Sequence, residues 1–202
     1  MNILISCEYS GTVRDAFLAR GHNAFSNDLL PTESKPERHL QMDCREAIKS
    51  RKKWDRIIIH IPCTAMGVCG NGTYGVGKAK HNERIEAIEF SLSVWDLACE
   101  HSDCVVIENP ASVLFPILRD QRGAKIQYIQ PWQFGHPEQK KTGLAIKGLP
   151  LLVETNNVYE EMMNLPRKER ERVFYMSPSA DRGKERARFY PGIADAFALQ
   201  WG

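Results

Sequence analysis

A cysteine and a glutamate stand at equivalent places in the sequence, each after a short apolar run. Cys63 comes shortly after residues 57–59, and Glu108 directly follows residues 104–107. A thiol can act as a nucleophile, and a nearby carboxyl group can donate or hold a proton. Each residue also has an ordinary structural role open to it, a buried free thiol for the cysteine and a helix cap for the glutamate. Together they favour a site of covalent catalysis.

The apolar runs have the pattern of parallel strands. Residues 3–5, 57–59 and 104–107 are continuous and rich in β-branched side chains, which is typical of strands covered on both faces. Weaker strands are predicted at residues 24–27, 126–130 and 144–146, with one more short strand before Asp43.

Helical patterns alternate with these strands. Residues 13–17 form a pattern that Gly21 ends, residues 85–99 carry apolar side chains at spacings of three and four, and a last helix begins at Pro191. Because parallel strands need crossover helices, the alternation predicts an α/β doubly wound, mostly parallel sheet. Ligands of such sheets bind at the carboxyl ends of the strands, where the thiol and the carboxyl group are expected.

The composition limits the class of protein. The chain has 202 residues, 43% hydrophobic and 26% charged, which excludes collagen-like, disordered and coiled-coil proteins. No apolar run reaches the roughly 18 residues of a membrane-spanning helix, and the N-terminus lacks the pattern of a secretory signal, so we expect a cytoplasmic protein. Six cysteines without a paired CxxC motif are expected to be reduced thiols.

The length predicts a single domain spanning residues 1–202, with a small irregular basic subregion at about 150–189. Residues 67–77 are dense in glycine and predict a mobile or tightly turning loop rather than a regular element. Net charge is +2, but residues 167–188 hold eight Lys and Arg against four acidic residues. Such a cluster fits phosphate contact or an exposed helix face, and the basic stretch at 45–56 fits the same two interpretations.

Several motifs resemble, in their order along the chain, those of the DNA cytosine-5 methyltransferases, in particular the compact phage and prophage type. The motifs are Ser6 to Gly11, Asp28, Asp43, Pro62-Cys63 and Glu108-Asn109-Pro110. Further similar stretches are residues 131–136, 140–142, 147–150 and 198–202. The resemblance therefore covers nearly the whole chain, and it implies the Rossmann-like fold of the methyltransferases that use S-adenosyl-L-methionine.

The resemblance implies S-adenosyl-L-methionine as methyl donor, and no metal. The implied cofactor-binding residues are Glu8, Tyr9, Ser10, Gly11, Asp28, Asp43 and Pro62. The turn from Glu8 to Gly11 would lie near the methionine or adenine part. Asp28 would take the ribose hydroxyls, and Asp43 the adenine amino group.

The resemblance also implies a reaction. The thiolate of Cys63 adds to C6 of cytosine and makes C5 nucleophilic enough to take the methyl group. Glu108, with Asn109 beside it in the catalytic set, hydrogen-bonds N3 and the exocyclic amine. The thiol must then be accessible and have a lowered pKa, aided by a helix N-terminus or a nearby cation. The target base is flipped out of a duplex or supplied single-stranded, with residues 64–80 as a lid.

The implied DNA-contacting residues are Thr64, Lys140, Lys141, Arg167, Arg170 and Arg172. Lys140 and Lys141 are candidates for the cation beside the thiol or for phosphate contacts, and plain exposure accounts for them equally well. Only about 40 residues separate Pro150 from Tyr190, where relatives have a large target-recognition region. Three interpretations follow: the preference for a target sequence is short or absent, residues 167–188 form a miniature recognition element, or a partner supplies one.

Two alternatives stay open from the sequence. One keeps the thiol addition but uses another donor, or modifies nucleotides instead of a polymer. The other is a catalytically inactive nucleic-acid-binding or decoy protein of the same fold. The pairing of Cys63 with Glu108 favours an enzyme, because a pure binding protein needs no reactive thiol.

Overall fold

The computed structural model describes residues 1–179 and 182–202. Its strands are β1 (Asn2–Ser6), β2 (Asn23–Asp28), β3 (His39–Gln41), β4 (Arg56–His60), β5 (Val105–Pro110), β6 (Lys125–Ile129) and β7 (Thr142–Lys147). They form one sheet in the order β3-β2-β1-β4-β5-β7-β6. The pairs from β3 to β5 are parallel, whereas β7 runs antiparallel to both β5 and β6.

Helices occupy the connections between the strands. They are α1 (Thr12–Ala19), α2 (Cys44–Lys49), α3 (Asn71–Tyr74), α4 (His81–His101), α5 (Leu114–Arg122), α6 (Tyr159–Asn164), α7 (Arg167–Arg170), α8 (Arg172–Tyr175), α9 (Arg182–Ala187) and α10 (Pro191–Gln200). Short 3-10 turns lie at Pro36–Arg38, Val68–Gly70 and Pro131–Gln133. Every predicted strand and the predicted helices α1, α4 and α10 are observed, most of them within about two residues of their expected bounds. Strand β5 extends three residues beyond its expected end, and α4 begins four residues before the first residue of its apolar pattern.

Alternate side chains of the central strands enter two separate cores. Ile5 and Ile58 pack on the face covered by α1 and α10, together with Phe197. Leu4 and Ile57 pack on the opposite face, with side chains of α2, α4 and α5. Burying each such aliphatic side chain contributes about 2 kcal/mol, so the central strands are fixed from both sides. The predicted doubly wound α/β fold is confirmed.

Among the helices that pack on the sheet, the sequence predicts α2 only as one of two interpretations of the basic stretch 45–56, and it does not predict α5. Helix α2 has only six residues, and its N-cap, Asp43, accepts a hydrogen bond from the Arg45 amide. Helix α5 contains Pro116 in its first turn, where a missing N–H costs nothing, and ends at Gly123 in a left-handed conformation. Proline near a helix start is easily mistaken for a loop signal.

The glycine-dense stretch at 67–77 is not a structureless loop, contrary to the prediction. It holds a 3-10 turn and α3 because the buried guanidinium of Arg84 fixes it from α4. Arg84 donates to the carbonyl of Ala65 at 2.7 Å and to the side-chain oxygen of Asn71 at 2.8 Å. A lid function for residues 64–80 stays a prediction.

The subregion at about 150–189 carries short helices, α6 to α9, where the sequence predicts irregular chain. In the basic segment 167–188, positions 180 and 181 lie outside the described residues. All six cysteines carry free thiols. Across the described ranges, no helix combines the length and the apolar character needed to cross a bilayer.

Candidate active site at the strand ends

Cys63 and Glu108 come from neighbouring parallel strands. His60 lies opposite Glu108 in the register of β4 and β5, and Cys63 follows β4 by three positions. The predicted adjacency of these two strand ends is therefore confirmed. The charge of Glu108 contributes to raising the pKa of the Cys63 thiol, which shows that the two groups lie within electrostatic reach of each other.

The pKa of Cys63 is raised, contrary to the lowered value that the sequence analysis predicts. Desolvation of the sulfur is the largest cause and the charge of Glu108 is the next, whereas the ammonium of Lys140 opposes both. The residue is nevertheless exposed, as are Pro62 and Thr64 on either side of it. The thiol of the free protein is thus accessible and protonated at neutral pH.

The structure separates the two neighbouring lysines. Burial lowers the pKa of Lys140, and the charges of Glu108 and Cys63 act against that effect, so the ammonium lies within electrostatic range of both groups. Its Nζ also donates to the carbonyl of Arg186 at 2.8 Å. Lys141 is exposed, and its Nζ lies 4.4 Å from the centroid of the Tyr128 ring at the edge of the sheet. Of the two, Lys140 is the one placed as a cation for the thiol.

Asn109 is buried and holds the backbone that leads to the thiol. Its Nδ2 donates to the carbonyl of Ile61 at 2.9 Å, which ties β5 to the segment after β4. Its Oδ1 is buried and has no hydrogen-bond partner among the described residues. The Asn109 side chain therefore contacts backbone rather than open space, which favours a positioning role over direct contact with the base.

His60 is a site residue that the sequence analysis missed. Its Nδ1 lies 3.0 Å from Oε2 of Glu108, and its ring meets Phe189 edge-on with centroids 4.8 Å apart. The Nε2 atom is buried, with no hydrogen-bond partner in the part of the chain that the structure describes. Register alone could have identified His60, because the last residue of β4 must face the first polar residue of β5.

The turn after β1 is built around Glu8. The buried carboxylate accepts hydrogen bonds from the amides of Val13 at 2.6 Å and Arg14 at 3.2 Å, so it caps helix α1. Desolvation raises its pKa. Gly11 adopts a φ of 76°, and a Cβ there would overlap the Arg14 guanidinium, so glycine is required. Glu8 and Gly11 therefore shape the turn.

Asp28 and Asp43 stand at the ends of neighbouring strands but differ in what they contact. Asp28 ends β2, and its Oδ1 accepts from the Leu30 amide at 2.9 Å. Asp43 caps α2 and binds the Arg45 guanidinium at 2.8 and 2.9 Å, and these hydrogen bonds lower its pKa to about 2. Asp28 has the freer carboxylate.

These residues fit the cofactor that the resemblance implies. The Tyr9 hydroxyl is buried and has no hydrogen-bond partner within residues 1–179 and 182–202. Oδ2 of Asp28 accepts no hydrogen bond from those residues either. Ser10, next to Tyr9, is partly exposed at the same turn. A ribose hydroxyl is a suitable donor to Asp28, and the unpaired Tyr9 hydroxyl marks a polar position that a ligand can satisfy.

The three arginines predicted to contact DNA all bind groups within the protein. Arg167 pairs with Glu171 at 2.9 Å, Arg172 pairs with Glu138 at 3.1 Å, and Arg170 donates to the carbonyl of Met163 at 3.4 Å. Each arginine thus already has a partner within the protein.

The C-terminal end of the basic segment does reach the strand ends. Lys184 and Arg188 bind Glu33 at 3.0 and 3.2 Å, and Phe189 lies on the His60 ring. Lys184 also lies over the Tyr9 ring, with its Nζ 5.2 Å from the centroid. Residues 184–189 therefore form one wall of the candidate site.

Comparisons with solved structures identify the fold. The Entamoeba histolytica methyltransferase EhMeth is similar over 78% of this chain and 57% of its own, at 14% identity and a TM-score of 0.50. A DNA modification methyltransferase described as putative, from an Escherichia coli prophage, matches over 83% and 56%, at 13% identity and 0.47. Dnmt2 of S. pombe matches over 91% and 62%, at 15% identity and 0.47.

The sequence matches no protein-family model and no curated protein. The chain spans less than two thirds of the length of each of these three solved structures. At these identities the similarity shows the fold alone. The seven-stranded sheet with its antiparallel β7 and flanking helices is thus the fold of the methyltransferases that use S-adenosyl-L-methionine, as the sequence analysis predicts.

Proposed function

We propose that this chain transfers a methyl group from S-adenosyl-L-methionine to C5 of cytosine in DNA, with Cys63 as nucleophile. The observation that carries the proposal is the arrangement at the ends of β4 and β5. The register of β4 and β5 brings the accessible thiol of Cys63 to the strand end beside Glu108, and the partly buried Lys140 is within electrostatic range of both groups. The similarity to EhMeth supports a methyltransferase at the level of the fold.

The protein side of the reaction begins with the thiol. Because its pKa is raised in the free protein, the thiolate must form as the substrate enters, and the charge of Lys140 favours it. The sulfur then bonds to C6, and the electron pair of the C5–C6 double bond moves into the ring. N3 takes a proton from the Glu108 side, which leaves C5 electron-rich.

S-adenosyl-L-methionine supplies an electrophilic methyl group when it is bound. We propose that Asp28 binds the ribose of the cofactor and that Tyr9 and Ser10 lie beside that ribose. Asp43 and Pro62 are proposed to contact the cofactor at the edge of its site. Glu8 and Gly11 contribute by holding the turn in shape. After transfer a water molecule takes the C5 proton, the C5–C6 double bond re-forms, sulfur leaves C6 with the electron pair of their bond, and N3 returns its proton to the Glu108 side.

The polymer partner is proposed to be DNA, either a duplex with a flipped base or a single strand, because a stacked base cannot reach the thiol. We propose that residues 1–202 act as one catalytic domain and that the subregion at 150–189 contributes to DNA contact. Two features of that subregion support this proposal. It is rich in Lys and Arg, and its residues 184–189 form a wall of the site.

The test is mass spectrometry of nucleosides from DNA incubated with the protein and with S-adenosyl-L-methionine labelled in the methyl group. We expect the label on C5 of deoxycytidine, and its loss in Cys63→Ala, which should still bind the cofactor. Cys69→Ala is the matched control, because Cys69 is another exposed thiol and has no role in the proposal. Label on another base, or only on free nucleotides, contradicts the proposal. Cofactor binding without any transfer would favour the inactive binding protein.

A further inference from the structure

The imidazole of His60 acts on two carboxyl groups. Nδ1 is 3.0 Å from Oε2 of Glu108, and both side chains are mostly buried, at 13% and 12% exposure. In addition, the charge of His60 lowers the pKa of the buried Glu8, which opposes the effect of burial. The ring is therefore a polar link between the turn after β1 and the catalytic carboxyl group.

The surroundings of this imidazole are closed. Phe189 covers one edge of the ring, and the pairing of β4 with β5 fixes the backbone on which His60 and Glu108 stand. Nε2 is buried, and within the described residues it has no partner. A buried nitrogen without a partner is destabilising, so a histidine here needs a reason beyond packing.

We infer that His60 is a positioning residue, which holds the Glu108 carboxyl group and shares with it the proton that N3 of the pyrimidine takes up. The inference rests on the proposed function and assigns a role to a residue outside the motifs that carry the resemblance. A carboxyl group alone at this position can rotate, whereas a hydrogen bond from a strand-anchored ring restricts it to one orientation.

The proton balance of the shared site is simple. One proton lies between Nδ1 of His60 and Oε2 of Glu108 before the substrate enters. When sulfur bonds to C6, the pair passes this proton to N3 through Glu108 and is left with one proton fewer. When sulfur leaves, N3 returns the proton to the pair. The charged or titratable groups within electrostatic range of the pair are Glu8, which acts on His60, and Lys140 and Cys63, which act on Glu108.

Two substitutions separate the two roles of the ring. His60→Phe keeps a ring against Phe189 but removes both nitrogens, and we expect the single-turnover rate of methyl transfer to fall by about 10²-fold. His60→Asn keeps an N–H near the position of Nδ1, so it should recover part of the rate but lose the wild-type pH dependence of that rate. His101→Phe is the matched control, because His101 binds the Arg51 carbonyl away from the site.

The affinity for S-adenosyl-L-methionine should stay within about twofold in both His60 variants, because the ring does not belong to the proposed cofactor set. Wild-type rates and a wild-type pH profile in His60→Phe would overturn the inference. So would an equal loss of rate in His60→Phe and His60→Asn with no change in the pH profile, since that result indicates a purely structural role.

A second readout needs neither DNA nor cofactor. In protein labelled with ¹⁵N-histidine, the Nδ1 resonance of His60 should move in Glu108→Gln and stay in place in Glu83→Gln, an exposed carboxylate of α4. An unmoved resonance in Glu108→Gln overturns the pairing. If the wild-type protein forms no 5-methylcytosine, the proposed function fails and the catalytic role of His60 fails with it, whereas the resonance still shows whether the pair exists.

Discussion

The side-chain amide of Asn109 donates a 2.9 Å hydrogen bond to the carbonyl of Ile61, two residues before the candidate nucleophile. This bond is buried and joins β5 to the chain that carries Cys63. In Asn109→Ala the Ile61 carbonyl loses its partner, so we expect unfolding free energy to fall by about 1–3 kcal/mol. Denaturant unfolding measures this loss.

The same substitution should slow methyl transfer while leaving the affinity for S-adenosyl-L-methionine nearly unchanged, because the sulfur loses its fixed backbone. Asn164→Ala, at the exposed end of α6, is the control and should change neither quantity. Wild-type stability together with wild-type rates in Asn109→Ala would contradict the positioning role.

Lys140 should control the reactivity of the Cys63 thiol. Desolvation and the charge of Glu108 raise the pKa of the thiol, and Lys140 lowers it, so removing the ammonium must raise it further. In Lys140→Gln we therefore expect alkylation of Cys63 by iodoacetamide at pH 7.5 to slow by up to about tenfold. In the wild-type protein the alkylation rate should still be rising at pH values where the rate of an ordinary thiol has reached its plateau, because the pKa of Cys63 is raised.

Lys141→Gln is the matched control for this measurement, since it removes the same charge from the neighbouring position. The Lys141 ammonium lies over Tyr128 instead of facing the thiol, and its loss should leave the alkylation rate unchanged. Equal rates in the two variants would show that Lys140 is not the cation of the site.

Asp28 and Asp43 should differ in their effects on cofactor binding and on stability. Asp28→Asn should raise the Kd for S-adenosyl-L-methionine at least about tenfold with little change in stability, because its carboxylate accepts one backbone amide within the described chain. Asp43→Ala removes the N-cap of α2 and should cost about 1 kcal/mol of unfolding free energy. Isothermal titration and chemical unfolding measure these effects, and an unchanged Kd in Asp28→Asn would contradict its assignment.

The basic segment should contribute to the salt dependence of DNA binding. We expect replacement of Arg167, Arg170 and Arg172 by Gln to reduce the slope of log K against log salt, because fewer counterions are released. Arg167 and Arg172 already form ion pairs within the protein, so the slope should fall by less than the loss of three full phosphate contacts would give. Binding to one oligonucleotide at several salt concentrations measures the slope.

The control for this triple variant removes equal charge elsewhere, by replacing Arg119, Arg122 and Lys125 with Gln at the end of α5 and the start of β6. This control should keep the wild-type slope. If the two triple variants have the same slope, residues 167–172 are an ordinary exposed helical surface.

The fold could be predicted where periodicity was strong. Residues 57–59 are apolar and β-branched because they are buried on both faces, and a short run of this kind is typical of a central parallel strand. Helix α5 could not be predicted, since its stability depends on Leu114 and Leu118 packing on the sheet and not on a long pattern. The short helices of the subregion likewise depend on tertiary contacts that no local pattern records.

The strand ends that carry the candidate site could be predicted, but the contacts between its side chains and the direction of the thiol pKa shift could not. The adjacency of Cys63 and Glu108 followed from the strand order, whereas the contact of His60 with Glu108 required the register. The direction of the thiol pKa was wrong because it depends on the balance between desolvation, Glu108 and Lys140. Sequence alone does not give the distances that set this balance.

The most direct test of the central claim traps the bond between Cys63 and C6. DNA containing 5-fluoro-2′-deoxycytidine should stall the reaction after methyl transfer, because fluorine cannot leave as the C5 proton does. With S-adenosyl-L-methionine present, peptide mass spectrometry should then find the DNA adduct on Cys63, and Cys63→Ala should form none. An adduct on a different cysteine, or turnover of ordinary DNA without any trapped adduct, would contradict the account.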